Sequence, residues 1–387
     1  MFKIMLLVLS LQAATLVWSE AYAKPVPVTP VPPGYGHYCS ITYPSGGWAF
    51  ATLAGTNTDP CGDLLKSAPG GTIQRAGLWA TKGDNNVLVR CDGDLRILRD
   101  IGSKATGVAY NNSAGKKNCV FTVAPTKLPV FGYPYGKTTS SQIHPSDDVT
   151  VARGFDYDIY NQSLKASDFG QPAGHSHAVG EPNWIDREGR QRCSDYKDEN
   201  GNNKHSDGEG AYDLLMPAGK PITSMATGIV RSAGWRDVSA YGCGSDKQGE
   251  VYIEHRVGTG KYAERFISYY AHMSTISVKT GDNVTRGQKI GVAGNTGCSS
   301  GNHLHYSVLR LTNLSGHRSY TFQTTVAGHG VNGIHGVIDP FGWAAPKHID
   351  PWAWKFLDFE GDSNSLKNPG AFSIYLWRDG VTVPWKW

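Results

Sequence analysis

The chain has 387 residues, of which 40% are hydrophobic and 18% are charged, and its formal net charge is +4. This length predicts two or three domains, and the composition is that of an ordinary globular protein. The positive charges are not gathered into a basic run, so the sequence gives no indication of a nucleic-acid partner.

Residues 1–23 have the pattern of a secretory signal peptide. Lys3 forms a short basic region, residues 4–18 are apolar, and the small-x-small sequence Ala-Tyr-Ala ends at Ala23. The apolar run of about 15 residues is shorter than the roughly 20 that a membrane-spanning helix needs. We therefore expect cleavage after Ala23 and a secreted or periplasmic protein without an integral membrane segment after cleavage. The alternative is an uncleaved anchor.

A proline-rich linker and a cysteine-bearing module follow. Residues 24–36, "KPVPVTPVPPGYG", predict a stiff extended linker. Residues 37–128 hold four of the seven cysteines and predict a small β module with two disulfides, because short strand patterns alternate with Gly, Asn and Asp turns. Its role is binding, targeting or spacing. The strand patterns lie within residues 46–55, 85–93, 95–100 and 117–125.

A second, larger β domain is predicted after a turn-rich connector at residues 129–165. Within residues 166–345, short alternating segments bounded by turns predict antiparallel strands of a sheet or half-barrel. The segment "VKTGDNVTRGQKIG" predicts one turn at TGDN and another at TRGQ. Residues 346–387 form an aromatic-rich C-terminal extension. The predicted strands are residues 228–235, 250–256, 265–273, 289–294 and 303–310.

The segment "HLHYSVLR" places two histidines on one face of a strand. Residues two apart in a strand point to the same side, so His303 and His305 project together and Leu304 points the opposite way, into the core. Two imidazoles on one face suit the accessible floor of a cleft. The alternative is a pair of ordinary surface histidines.

Other metal-binding residue types lie at strand ends or in loops of the same domain. They are His205 and Asp213, which precede a Pro-Ala-Gly turn, and His272, which ends a tyrosine-rich strand. A catalytic zinc site takes about three protein ligands and keeps one position open for water. Together with the His-Leu-His pair, these residues form a candidate metal site with additional histidines for proton transfer.

Three segments carry a specific resemblance. They are "AYDLLMPAGKPITSMATGIV", "YYAHMSTISVKTGDNVTRGQKIGVAGNTGCSSGNHLHYSV" and "DPFGW". In this order they resemble the lysostaphin/LytM-type zinc metalloendopeptidases, over residues 200–343. The resemblance implies a small antiparallel β domain with one zinc ion in the floor of a groove, and peptidoglycan cross-links as the substrate.

The resemblance also assigns the metal ligands. Asp213 matches the family's metal-binding aspartate, and His305, the second histidine of His-Leu-His, matches a metal ligand. His205 matches the first ligand, although the family often places that histidine closer to the aspartate. His175 and His177 are upstream competitors for the same role.

By the same resemblance, His272 and His303 are the two histidines that do not bind the metal. Each is suited to take a proton from water and to protonate the leaving amine, because the pKa of histidine lies near working pH. The sequence leaves open which of the two is the base, and it contains no HExxH motif. Tyr270 either supports His272 from the same strand face or packs in the core. His255 is expected to be structural.

Cys243 and Cys298 both lie near the predicted groove, so we expect a disulfide between them. Cys298 as a reactive thiol or metal ligand is the alternative. Cys193 is then the odd cysteine, because seven cysteines cannot all pair within one chain.

We therefore expect an exported, monomeric zinc endopeptidase acting on peptidoglycan or other Gly/Ala-rich peptides. One alternative is a non-catalytic relative that binds cell walls or activates another hydrolase. Another is a biotinyl/lipoyl-type carrier domain, which the "VKTGDNVTRGQKIG" hairpin also resembles. The carrier lacks support, because the modified lysine motif is missing from the hairpin tip.

Overall fold

The structure is a computed structural model of the chain. It describes residues 24–30, 35–42, 48–54, 70, 72–80, 86–91, 94–99, 119–123, 130–135, 149–155, 184–192, 196–197, 201, 203–204, 210–258, 263–311, 337–342 and 376–377. The predicted signal peptide and most of the predicted C-terminal extension lie outside these residues. Within them, no helix has the length and apolarity that crossing a membrane requires.

The described elements are β-strands, apart from the short 3-10 helix Ser239–Tyr241, so the mainly β prediction is confirmed. The N-terminal third forms two antiparallel three-stranded sheets, in the orders β3-β2-β4 and β6-β5-β7. Strands β3, β5, β6 and β7 were predicted, whereas β2 and β4 were not. The predicted disulfides of this module lie outside the described side chains. The strands are β1 (Val28–Thr29), β2 (Tyr35–Thr42), β3 (Trp48–Ala54), β4 (Thr72–Ala80), β5 (Asn86–Cys91), β6 (Asp94–Arg99) and β7 (Cys119–Val123).

The rest of the chain builds one large sheet and several small ones. The strands before the predicted peptidase motifs are short: β8 (Thr150–Arg153), β9 (Trp184–Ile185), β10 (Gln191–Arg192), β11 (Tyr196–Lys197) and β12 (Asn203–Lys204). Those that follow are β13 (Tyr212–Leu215), β14 (Pro221–Thr223), β15 (Gly228–Asp237), β16 (Lys247–Val257), β17 (Glu264–Met273), β18 (Thr275–Ile276), β19 (Asn283–Val284), β20 (Lys289–Val292), β21 (His303–Arg310) and β22 (Val337–Ile338).

The large sheet has nine strands, and its main path runs β19-β15-β16-β17-β21-β13-β8, with every neighbouring pair along this path antiparallel. The five strands predicted for this domain correspond to β15, β16, β17, β20 and β21, four of them in the large sheet. Strand β20 instead lies at the centre of a three-stranded sheet, β14-β20-β18.

The proline-rich segment contributes a strand to the large sheet. Val28 and Thr29 pair in parallel with Arg256 and Val257 of β16, and the N–H of Gly258 donates to the Thr29 carbonyl at 2.9 Å. These β16 residues lie beyond the last residue paired with β15, so β1 continues the sheet where β15 is absent. The sequence predicted an extended segment here but not its pairing partner.

Two glycines make the predicted turns between β18 and β20. Gly281 and Gly287 have φ angles of 90° and 81°, which side chains with a Cβ rarely adopt. The N–H of Gly281 also donates to the Val230 carbonyl at 2.8 Å, which ties the first turn to β15. Both turns predicted from TGDN and TRGQ are therefore confirmed.

The alternation along β21 separates the core from the opposite face of the sheet. Leu304, Tyr306 and Val308 are fully buried in the main hydrophobic core. Leu309, on the other face, packs in a second cluster with residues of β16 and β17 that include Ala271. His303 and His305 share that second face because side chains alternate along a strand. Leu304 therefore takes the core position that the sequence predicted.

Candidate active site

Pairing between β13 and β21 brings the predicted aspartate and histidine together. Asp213 lies directly opposite His305 in the ladder, and Nδ1 of His305 is 3.0 Å from Oδ1 of Asp213. Nε2 of His303 lies 3.6 Å from the same oxygen. Two residues that are 92 positions apart in sequence thus meet through strand register alone.

The Asp213 carboxylate is buried yet held in its charged form. Burial alone would raise its pKa, but the hydrogen bond and charge of His305, with smaller contributions from His303 and Arg153, keep the pKa well below its ordinary value. Arg153 approaches from β8, where it is the ladder partner of Asp213, and its Nε lies 3.7 Å from Oδ2. The sequence gives no signal for this role of Arg153, because it lies in the predicted connector and its partner is 60 residues away.

His272 is oriented by a loop carbonyl. Its Nδ1 lies 2.7 Å from the Thr296 carbonyl oxygen, and because a carbonyl only accepts, Nδ1 must carry the proton. Nε2 is then the nitrogen able to accept a proton. Burial, followed by the proximity of His305 and His303, lowers the pKa of His272 to about 3, so the ring is neutral.

The backbone of His272 explains how its ring reaches the other histidines. His272 has a φ angle of 61°, and it is the one described non-glycine residue with positive φ. The change of direction after Ala271 brings the His272 ring centroid to 4.6 Å from that of His303 and 5.8 Å from that of His305. A β strand continued by simple alternation would not predict this placement.

His303 is fixed by the same loop. Its Nδ1 donates to the Gly301 carbonyl at 2.9 Å and lies 3.2 Å from the Ser299 hydroxyl. Because Nδ1 carries a proton, Nε2 is the ring nitrogen left to take part in proton exchange, and this is the atom that lies near Asp213. Both predicted proton-transfer histidines consequently have Nε2 as their proton-accepting atom.

A disulfide anchors the loop that supplies these carbonyls. Cys243, in the loop between β15 and β16, is joined to Cys298, and their Cα atoms are 4.7 Å apart. The predicted pairing of these two cysteines is confirmed. The alternative roles for Cys298, as a free thiol or a metal ligand, are therefore excluded.

Aromatic and polar side chains continue the histidine face across β17 and β16. The Tyr269 ring packs edge-on against His305 with centroids 5.7 Å apart, and it stacks on Tyr252 at 4.4 Å. The Tyr269 hydroxyl donates to Glu250 at 3.1 Å and accepts from Gln248 at 3.0 Å. This network holds Tyr269 in place beside His305.

Tyr270 and His255 both lie in the core and have structural roles. Tyr270 is fully buried, and its hydroxyl accepts a hydrogen bond from the Met225 N–H at 2.9 Å, so it packs in the core. His255 is also buried, with its ring nitrogens bonded to the Thr227 carbonyl and the Ser268 hydroxyl.

The described residues supply two metal donors that fit zinc. In this structure Nδ1–H of His305 donates to Oδ1 of Asp213, and loss of that proton to a metal would leave the two atoms as neighbouring nitrogen and oxygen donors, which are ligand types that zinc takes. In the part of the chain that the structure describes, no group of three or more His, Cys, Asp or Glu side chains is placed to hold a metal. The third predicted ligand, His205, and its competitors His175 and His177 lie outside the described residues, as does Cys193.

An antiparallel sheet with a His-x-His strand facing an aspartate is the arrangement expected of a lysostaphin/LytM-type peptidase domain. Residues 208–317 match the family model described as peptidase family M23, which confirms the resemblance seen in the sequence. This match covers the strands that carry Asp213, His272, His303 and His305.

Known relatives each match about a quarter of the chain. It is 37% identical over 97 residues to an uncharacterized metalloprotease of Buchnera aphidicola, covering 25% of this chain and 22% of the relative. It is 35% identical over 101 residues to glycyl-glycine endopeptidase ALE-1 of Staphylococcus capitis, covering 26% and 24%. It is 35% identical over 97 residues to peptidoglycan DD-endopeptidase ShyA of Vibrio cholerae, covering 25% and 19%. The chain thus spans less than a quarter of the length of each of these relatives.

Proposed function

We propose that this chain is an exported, monomeric zinc endopeptidase that hydrolyses peptide cross-links of peptidoglycan. The observation that carries the proposal is the meeting of Asp213 and His305 beside His272 and His303, within the region that matches peptidase family M23. A metal-binding pair next to proton-accepting groups is the combination that hydrolysis of an amide requires.

Asp213 and His305 would hold the zinc, with His205 as the proposed third protein ligand. The buried, ionised carboxylate supplies negative charge for the cation, and Arg153 and His303 help to keep that carboxylate ionised. When bound, zinc lowers the pKa of a coordinated water towards neutrality and so supplies the nucleophile for attack on a peptide carbonyl.

His272 and His303 would move the protons. Each ring donates Nδ1–H to a loop carbonyl, so Nε2 accepts the proton that the attacking water loses. That proton passes to the nitrogen of the cleaved bond, which leaves as an amine while the water oxygen stays on the new carboxylate. An imidazole that has gained a proton at Nε2 can pass it to the leaving amine, which is the general-acid half of the same role.

The substrate class is supported by the names of the relatives. One is named a glycyl-glycine endopeptidase and another a peptidoglycan DD-endopeptidase. We extend peptidoglycan peptides, or other Gly/Ala-rich peptides, to this chain as its substrate. Export follows from the signal-like sequence before Lys24, and N-terminal sequencing of the mature protein should begin at that residue.

Digestion of purified peptidoglycan tests this function. The zinc-loaded protein should release new amino and carboxyl termini within the cross-links, identified by mass spectrometry. His303→Ala and His272→Ala should each lower kcat by about 100-fold or more, as expected for loss of general acid–base catalysis. Tight binding to cell walls without cleavage would contradict the endopeptidase proposal and favour the alternative of a non-catalytic wall-binding protein.

A further inference from the structure

The loop from Gly294 to Asn302 supplies the acceptors of both proton-transfer histidines. The Thr296 carbonyl accepts from Nδ1 of His272 at 2.7 Å, and the Gly301 carbonyl accepts from Nδ1 of His303 at 2.9 Å. A carbonyl fixes both the tautomer and the plane of an imidazole, because only one ring nitrogen can donate to it. The positions of these two carbonyls therefore decide where both Nε2 atoms lie.

The Thr296 side chain ties this loop to two strands of the large sheet. Its hydroxyl donates to the Met273 carbonyl at 2.9 Å and accepts from the Gly249 N–H at 3.0 Å. Met273 directly follows His272, and Gly249 lies opposite Met273 in the ladder between β16 and β17. The Thr296 hydroxyl thus bonds to both Met273 and Gly249, which face each other at the end of the β16–β17 ladder.

Two neighbouring residues hold the same segment down. Gly297 packs so closely on Gln248 that an added Cβ would lie 2.6 Å from the Gln248 Cβ. Cys298 is covalently joined to Cys243. Three consecutive loop residues, from Thr296 to Cys298, are therefore fixed by a hydroxyl, by close packing and by a disulfide.

We propose that Thr296 is a positioning residue, whose hydroxyl anchors the loop so that its carbonyl holds His272 with the proton on Nδ1 and Nε2 available for catalysis. The proposal rests on the function proposed above for its catalytic consequence. The tautomer of His272 itself does not depend on that function. Such an anchor is needed because the positive φ of His272 is unfavourable for a non-glycine residue. The surrounding structure must therefore hold the backbone in this conformation.

The experiment compares Thr296→Val, which keeps the side-chain shape but removes both hydroxyl bonds, with Thr296→Ser, which retains the hydroxyl. The readouts are zinc content, kcat and KM on a peptidoglycan peptide, and the His272 tautomer from ¹⁵N chemical shifts. Thr296→Val should lower kcat by about 10- to 100-fold, in the range seen when partners that orient active-site groups are removed. KM and zinc content should stay unchanged, and Thr296→Ser should restore most of kcat.

Ser274→Ala is the matched control. Its hydroxyl also donates to backbone carbonyls, those of Ala293 at 2.9 Å and Val292 at 3.4 Å, and these acceptors belong neither to His272 nor to the Thr296–Cys298 segment. This variant should keep wild-type kcat and tautomer. The proposal is overturned if Thr296→Val keeps both, or if Thr296→Ser is impaired as strongly as Thr296→Val.

The tautomer measurement separates this proposal from the proposed function. If the wild-type protein cleaves no peptide, the proposed peptidase function is overturned. If His272 is nevertheless protonated on Nδ1 in the wild type and in Thr296→Ser but not in Thr296→Val, the positioning role of Thr296 is retained. Should Thr296→Val fail to fold, Thr296→Ala removes the same hydroxyl with a smaller side chain. Its His272 tautomer should then become mixed, and an unchanged tautomer would contradict the proposal.

Discussion

Asp213 and His305 are ladder partners in adjacent antiparallel strands, and their side-chain atoms Oδ1 and Nδ1 are 3.0 Å apart. Direct cross-strand neighbours have Cβ atoms about 5 Å apart, which brings their polar tips to the same point on one face of the sheet. The backbone of the sheet, rather than a flexible loop, therefore sets this part of the site. Sites built on strands hold their geometry more accurately than sites built on loops.

The first metal ligand is the least constrained part of the proposed site. His205→Ala should lose stoichiometric zinc, while His175→Ala and His177→Ala should keep it, because we propose His205 as the ligand and the other two as its competitors. Metal analysis of the three single variants after zinc loading and dialysis makes the comparison. Full zinc occupancy in His205→Ala would show that another residue is the ligand.

The disulfide should contribute to stability as well as to catalysis. Cys243 and Cys298 are separated by 55 residues, and removal of a native disulfide typically costs about 2 to 5 kcal/mol. Cys243→Ser/Cys298→Ser should therefore unfold at lower denaturant concentration than wild type. Reduction of the wild-type protein is the second measurement, and an unchanged midpoint in both cases would contradict the expectation.

His255 predicts a loss of stability in mild acid. Its pKa is lowered from 6.5 to about 4, chiefly by burial, so the unfolded chain binds a proton more readily than the folded one between these values. The contribution of His255 to the free energy of unfolding is complete above pH 6.5 and is lost as the pH drops towards 4. A pKa shift of this size corresponds to roughly 3 kcal/mol. Lowering of the His272 pKa acts in the same direction.

Denaturant unfolding at several pH values isolates the contribution of His255. Comparison of wild type with His255→Gln removes the contribution of the other groups, because only the His255 proton differs between them. The difference in free energy of unfolding between the two proteins should change by roughly 3 kcal/mol between pH 6.5 and pH 4. A difference that stays constant with pH would show that His255 is not the source.

The first glycine of the Gly294–Asn302 loop is predicted to be intolerant of a side chain. A Cβ at Gly294 would lie 2.6 Å from both the Ser274 backbone nitrogen and the Ser274 Cβ, so β17 or the loop would have to move. Gly294→Ala should therefore destabilise the protein by about 1 to 3 kcal/mol, the usual cost of overpacking. Gly234→Ala is the control, since no atom lies within 4 Å of its added Cβ. Equal thermal stability of the two variants would contradict this account.

Much of the site could be predicted because its signals are local. The alternation of "HLHYSVLR" predicted correctly that Leu304 faces the core and that both histidines face away from it. The turns at Gly281 and Gly287 were likewise visible as short Gly-containing sequences. Such features depend on two to four neighbouring residues, whose spacing the sequence shows directly.

The features that were missed depend on contacts between distant segments. Arg153 reaches Asp213 through the pairing of β8 with β13, and Thr296 reaches His272 through a loop carbonyl, which side-chain identity does not reveal. The pairing of Val28 with β16 has the same origin. Tyr270 is spaced correctly to support His272, but the positive φ of His272 breaks the alternation on which that spacing depends.

Zinc content tests the central claim most directly. Wild-type protein, loaded with zinc and dialysed, should contain one zinc ion per chain. His305→Ala should bind zinc more than about 100-fold more weakly, since even residues that only orient metal ligands cost 10- to 100-fold. His303→Ala should retain the metal but lose peptide cleavage, with folding of each variant verified by circular dichroism. A wild-type protein without zinc, or His305→Ala with full zinc occupancy, would contradict the assignment of Asp213 and His305 as metal ligands.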